Sequence, residues 1–173
     1  LSSLINSVAG MSDQQLWGTL LSTALASRNE HTVREIAIEA SEHLDESGLR
    51  AAKIAASLMG MNNIYYRFLH LVEDEEYGRL PARLRMNVLA APGVPKIQFE
   101  LWCLAVSAVN GCGKCVAAHE KVLRDAGVTR EQIQKYDPPN AVHERLIAVL
   151  GRHCDKFNRQ DKMLFLGYNV QFD

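Results

Sequence analysis

Apolar residues recur along this chain at the three- and four-residue intervals of a helix, and no segment sustains the alternation of a strand. Ser12-x-x-Gln15 has the form of a capping box, and Leu16, Trp17, Leu20, Leu21 and Ala24 follow at helical spacing, so a first helix is expected up to Asn29. Thr32-x-x-Glu35 repeats the signature ahead of Val33, Ile36, Ala37, Ala40 and Leu44, with Glu46-Ser47-Gly48 read as the stop. A long helix over Leu49 to Leu71, bent near Gly60, comes next, and the acidic run Glu73-Asp74-Glu75-Glu76 reads as a solvated helix end or loop. After Pro81 a short helix is expected over Ala82 to Ala90, stopped by Ala91-Pro92-Gly93-Val94-Pro95. Pro95 then suits the start of an apolar helix over Lys96 to Val109. Asn110-Gly111 breaks that helix, and another runs from the cysteine pair to Ala126, with Gly127 as its cap. Thr129-x-x-Gln132 opens a short helix ended by Pro138-Pro139, and Val142, Leu146, Val149, Leu150 and His153 form one more helical stripe. Met163 to Leu166 is an apolar patch whose state the pattern leaves open.

The fold class is therefore all-α, and 173 residues are expected to form one domain with a sizeable core. Nineteen basic residues against twenty acidic ones give a net charge of -1, which supplies no general attraction to nucleic acid or to an anionic membrane. Apolar runs fall far short of the roughly 20 residues a membrane span needs, and no basic-then-apolar leader is seen, so the expected location is the cytoplasm. The chain opens Leu-Ser-Ser without an initiator Met, which leaves open whether residues precede Leu1.

The chemistry concentrates in Asn110-Gly111-Cys112-Gly113-Lys114-Cys115-Val116-Ala117-Ala118-His119. On a helix, Cys112, Cys115 and His119 share one face, while Gly113 and Lys114 point elsewhere. Of four cysteines, two stand at a spacing used by redox dithiols and by zinc sites alike. A thiol in the first turn of a helix faces unpaired N-H groups and the positive end of the dipole, and Lys114 adds charge, so a stabilised thiolate is expected. Adjacent turns also bring two cysteines within disulfide range. Glu100 interrupts the apolar helix before the break, and an antiparallel return would set it beside His119, to orient the imidazole while His119 takes a proton from Cys115. The rival reading is a zinc-stabilised helical interaction module. Cys112, Cys115 and His119 supply three zinc-type ligands, and the fourth would come from Cys103, Cys154, His143, His153 or Glu100. Otherwise Cys103 and Cys154 read as buried small hydrophobes, and His31, His43 and His70 as surface or boundary residues. Arg79, Arg83 and Arg85 form a small cluster read as surface or subunit contact.

Phe99-Glu100-Leu101-Trp102, followed by Ala105-Val106-Ser107-Ala108-Val109-Asn110-Gly111-Cys112-x-x-Cys115-x-x-x-His119-Glu120, closely resembles the alkyl hydroperoxidase D family of the carboxymuconolactone decarboxylase superfamily. Further blocks agree: Gln15 to Leu21, Met59-Gly60-Met61-Asn62-Asn63 with Tyr66-Arg67, and Leu84-Arg85-Met86-Asn87 leading to Pro92-Gly93-Val94-Pro95-Lys96. The resemblance covers about residues 1 to 133. It implies an all-helical subunit of a homotrimer that reduces organic hydroperoxides with no tightly bound cofactor. It also implies electrons from a lipoyl group, as dihydrolipoamide on a 2-oxoacid dehydrogenase component, and a partner peroxiredoxin, alkyl hydroperoxide reductase C. Carried over by position, Cys115 is the attacking thiol, Cys112 the more exposed resolving thiol, and Glu100 and His119 the proton relay. Two departures stand out. Lys114 takes the place of a second histidine, and from about Lys135 a polar tail replaces an Ala-rich apolar helix. A decarboxylase-like enzyme of the same superfamily, needing no dithiol, is the remaining alternative.

Overall fold

A computed structural model of the chain describes residues 11–135, and among these every regular element is helical. Helix α1 (Asp13–Ser27) opens on the capping box, with Gln15 N donating to Ser12 Oγ at 3.2 Å and Ser12 N donating to Gln15 Oε1 at 3.0 Å. Helix α2 (Glu30–His43) starts before the expected Thr32 signature. Asn29 is its cap, its Oδ1 accepting from Thr32 N at 2.9 Å, so Thr32 lies inside the first turn and is buried. The tripeptide expected to stop this helix instead begins α3 (Glu46–Val72), because Asp45 Oδ1 accepts from Gly48 N at 2.7 Å and caps the new helix. α3 continues through Gly60 without interruption.

The acidic run divides between two helices. Glu73 takes a left-handed conformation (φ 55°) at the end of α3, and Asp74 caps α4 (Glu75–Arg79), a helix that periodicity did not predict. Conversely, the helix expected over 82–90 contracts to a 3-10 turn at Asn87–Ala90. Arg83 has φ 50°, which no right-handed helix accommodates. Helix α5 (Lys96–Val109) follows Pro95, and Gly111 at φ 67° turns the chain into α6 (Gly113–Asp125). Gly127 at φ 86° ends α6, and α7 (Arg130–Lys135) begins after Thr129, whose Oγ1 accepts from Gln132 N at 3.2 Å and whose N donates to Gln132 Oε1 at 2.8 Å, as the Thr129-x-x-Gln132 signature predicts. The stripe from Val142 to His153 and the Met163 to Leu166 patch lie outside the described residues, as do Cys154 and His143.

α1 packs against α2, α3 and α5, with Trp17, Leu21, Ile36, Met59, Phe99 and Trp102 fully buried between them. The closest approach is at Gly18, where an added Cβ would stand 2.0 Å from Trp102 Cζ2; the indole Nε1 donates to Gln15 O at 3.1 Å. This contact anchors α5, and α3 packs on both α5 and α6, so the turn carrying the cysteines is held from one side by α3.

Candidate active site

Cys112 is the N-cap residue of α6, and Cys115, His119 and Leu123 follow on the helix face turned into the protein. Gly113 and Lys114 are exposed, as their helical positions require. The antiparallel return of α5 and α6 brings Glu100 Oε2 to 2.6 Å from His119 Nδ1, with both residues more than nine-tenths buried. An ionised carboxylate only accepts, so Nδ1 carries the donated hydrogen and Nε2 is left as the basic nitrogen. Nε2 lies 3.2 Å from Met59 Sδ, a weak partner supplied by α3.

Both cysteines of the motif are free thiols, and both are buried, Cys112 at 2% exposure and Cys115 at 5%. The greater exposure expected for Cys112 is not found. Its backbone N-H donates to Ser107 O at 3.0 Å, which draws the residue under the α5–α6 turn. Cys112 and Asn63 are neighbours that act on the Cys115 thiol in opposite senses, the first raising it and the second lowering it.

The electrostatics also depart from the expectation of a stabilised thiolate. Burial, reinforced by Cys112, pushes the Cys115 thiol up to about 12. Asn63 and the charge of Lys114 pull the other way and are outweighed. Lys114 stands with its Nζ 4.9 Å from the centre of the Tyr66 ring, a cation-π contact that keeps the charge at the rim of the site. Cys103 is a core residue with no exposure, its thiol pushed up by burial and by the charge of Glu100.

Among the described residues no three His, Cys, Asp or Glu side chains converge as a metal-ligand set. His119 is committed on one nitrogen to Glu100 and faces a thioether on the other. His43 stacks on Trp17 with ring centroids 4.4 Å apart, and His31 and His70 are exposed. Arg79, Arg83 and Arg85 are exposed as expected. Two surface grooves, of about 480 and 720 Å³, lie along the first half of α3 and around Val88; neither is lined by Glu100, Cys112, Cys115 or His119.

Periodicity and spacing assigned no role to Met59, Asn63, Tyr66 or Arg67, which α3 presents to the cysteine turn. A signal was present: an Asn62-Asn63 pair in a helix of apolar character must find partners if it is buried. Both are buried, Asn62 Nδ2 meeting Met86 Sδ at 3.1 Å and Asn63 bonding within the turn.

A buried Cys-x-x-Cys at a helix start, with a His on the next turn paired to a Glu of the preceding helix, defines a class of helical protein. Residues 75–135, which hold all four of these side chains, match the carboxymuconolactone decarboxylase family. The similarity then narrows. Over 130 residues the chain is 58% identical to the alkyl hydroperoxide reductase AhpD of Frankia alni, covering 75% of this chain and 70% of the relative. The AhpD of Gluconacetobacter diazotrophicus is 56% identical over 134 residues, covering 78% and 73% respectively, and that of Streptomyces griseus is 56% identical over 134, covering 76% of each. This chain belongs to the alkyl hydroperoxide reductase AhpD family, within the carboxymuconolactone decarboxylase group.

Proposed function

We propose that the protein is a thiol peroxidase that reduces organic hydroperoxides through a Cys112-Cys115 dithiol-disulfide cycle. The observation that carries this reading is a buried, free Cys115 three residues from a buried, free Cys112 and one helical turn from a His119 oriented by Glu100 at 2.6 Å. A thiol pushed up to about 12 does not ionise by itself near neutral pH, so its attack requires a base. His119 supplies that base through Nε2 once Met59 yields its place, and Glu100 stabilises the imidazolium that results.

The cycle balances in three steps. The Cys115 sulfur attacks the terminal oxygen of the hydroperoxide, the O-O bond breaks, and the proton returns to the leaving alkoxide, giving an alcohol and a Cys115 sulfenic acid. The Cys112 thiol displaces water from that sulfur and forms the disulfide. A dithiol donor then reopens it by exchange, taking the disulfide onto itself. The donor in this reading is the dihydrolipoyl group of a 2-oxoacid dehydrogenase component, with no tightly bound cofactor. The names of the relatives support reduction of alkyl hydroperoxides, and the same dithiol would serve a peroxiredoxin partner such as alkyl hydroperoxide reductase C. Assembly as a homotrimer draws support from Ile64, Phe68 and Leu71, which expose an apolar stripe at helical spacing on α3. No helix among the described residues is long and apolar enough to cross a membrane. The reading places the protein in the cytoplasm, where donors keep thiols reduced.

Purified protein supplied with dihydrolipoamide and cumene hydroperoxide should consume the two in equal amounts and lose turnover in Cys112→Ser and in Cys115→Ser. Undiminished turnover in Cys115→Ser would refute the role given to that sulfur. The matched family's decarboxylase name supplies a second reading, under which alkylation of both thiols leaves activity intact.

A further inference from the structure

We propose that Asn63 is a positioning residue of the dithiol centre, its side-chain amide bridging Ser107 and Asn110 and so fixing the turn that delivers Cys112 to the start of α6. Cys115 lies within the helix, but Cys112 does not. It is the N-cap, with φ -96° and ψ 89° and no side-chain capping bond, so its place is set by the turn before it. That turn passes through Gly111 at φ 67°, a residue with no Cβ to restrict it. Asn63 reaches the turn from α3 with both ends of its amide. Nδ2 donates to Ser107 Oγ at 3.0 Å, and Oδ1 accepts from Asn110 Nδ2 at 2.9 Å. Ser107 in turn accepts through its backbone O from Cys112 N at 3.0 Å, which carries the restraint to the cysteine itself. Arg67, one helical turn further along α3, adds a charge-assisted bond from Nη1 to Asn110 O at 2.6 Å.

Burial gives the bridge its force. Asn63 is 1% exposed and Ser107 is fully buried, so neither can exchange its partner for water. An apolar side chain at position 63 would leave the Ser107 hydroxyl and the Asn110 amide without these bonds and release the turn. Disulfide closure tolerates little such movement, since the two Cβ atoms must stand about 3.5–4.5 Å apart. In the peroxidase cycle the same constraint governs resolution. The Cys112 sulfur must reach the Cys115 sulfenic acid before a second hydroperoxide oxidises that sulfur to the sulfinic acid and leaves as its alcohol. A residue that fixes Cys112 raises the effective concentration of one sulfur at the other. Both sulfurs belong to the motif, yet the restraint on Cys112 comes from α3.

The role rests on the thiol peroxidase reading, and its test uses no hydroperoxide. The full-length protein is equilibrated with graded mixtures of reduced and oxidised glutathione. Closure transfers two electrons and two protons from the protein dithiol to one glutathione disulfide and releases two glutathione thiols. After acid quenching, alkylation and trypsin digestion, cleavage after Lys114 separates Cys112 from Cys115, so mass spectrometry finds the two peptides joined only where the disulfide has closed. In Asn63→Leu the equilibrium constant for closure should fall by about tenfold, a rise of about 30 mV in reduction potential. A merely structural role lowers the melting temperature without moving this equilibrium in the folded protein. An unchanged or more stable disulfide in Asn63→Leu therefore overturns the proposal. Should that variant fail to fold, Asn110→Ala removes one end of the bridge and spares the backbone carbonyl that Arg67 holds. Closure should then weaken by about threefold, and an equilibrium that stays in place overturns the proposal. A wild-type protein that closes no Cys112-Cys115 disulfide overturns both this role and the peroxidase reading. Closure in glutathione without consumption of cumene hydroperoxide sinks the peroxidase reading alone.

Discussion

Raising the pH tests the balance between burial and helix polarity at Cys115. Alkylation proceeds through the thiolate, so its rate follows the ionised fraction. With the thiol pushed up to about 12, the fraction near pH 7 is on the order of one in 100,000 and rises tenfold per unit, a gain of about 1,000-fold by pH 10. An ordinary thiol ionising near 9.0 would gain only about 90-fold over the same span, and less than about twofold between pH 9 and 10. Peptide-resolved alkylation of Cys115 over this range, with circular dichroism to verify folding, distinguishes the two. A rate that levels off between pH 9 and 10 would show that the helix start outweighs burial and would refute the reasoning. The same shift has a consequence for stability. The folded chain holds this proton more tightly than the unfolded one, so the contribution is complete below about pH 9 and is lost as the pH rises towards 12. Its size is on the order of 4 kcal/mol, from three units of pKa between 9.0 and about 12.

Three further outcomes are expected. Gly18→Ala places a Cβ 2.0 Å from the rigid Trp102 ring, so stability should fall by about 1–3 kcal/mol or more, read as a lower urea midpoint. Glu100→Gln keeps a group able to accept from His119 Nδ1 but removes the charge that supports an imidazolium; hydroperoxide turnover should drop by about 100-fold with the fold intact, measured as kcat beside the melting temperature. Ser12→Ala removes one half of the capping box that starts α1, and the melting temperature should report a loss of about 1 kcal/mol, with Cys115 alkylation unchanged.

How far the sequence reaches is clearest at the two ends of the cysteine helix. Gly111 and Gly127, read as the break and the cap, both take the positive φ that only glycine adopts freely, and those decisions are local. The meeting of Glu100 with His119 was also legible, because a tight turn between two helices leaves little choice of register. Errors fell where several cap residues compete within a few positions. Asn29 took the start expected at Thr32, Asp45 turned an expected stop into a start, and Arg83 broke the helix predicted after Pro81.

By itself, then, the sequence determined the helical class, the shared face of Cys112, Cys115 and His119, and the turn that returns Glu100 to them, since periodicity and turn chemistry act over a few residues. Only the tertiary structure decided how buried the thiols are, and so reversed the expected ionisation of Cys115. Burial depends on what packs over the site, and that is α3 (Glu46–Val72), which ends about forty residues before Cys112 and brings Met59 and Asn63 to it. No local pattern fixes such a meeting; it follows from the common core that α1, α3 and α5 build around Trp17 and Trp102.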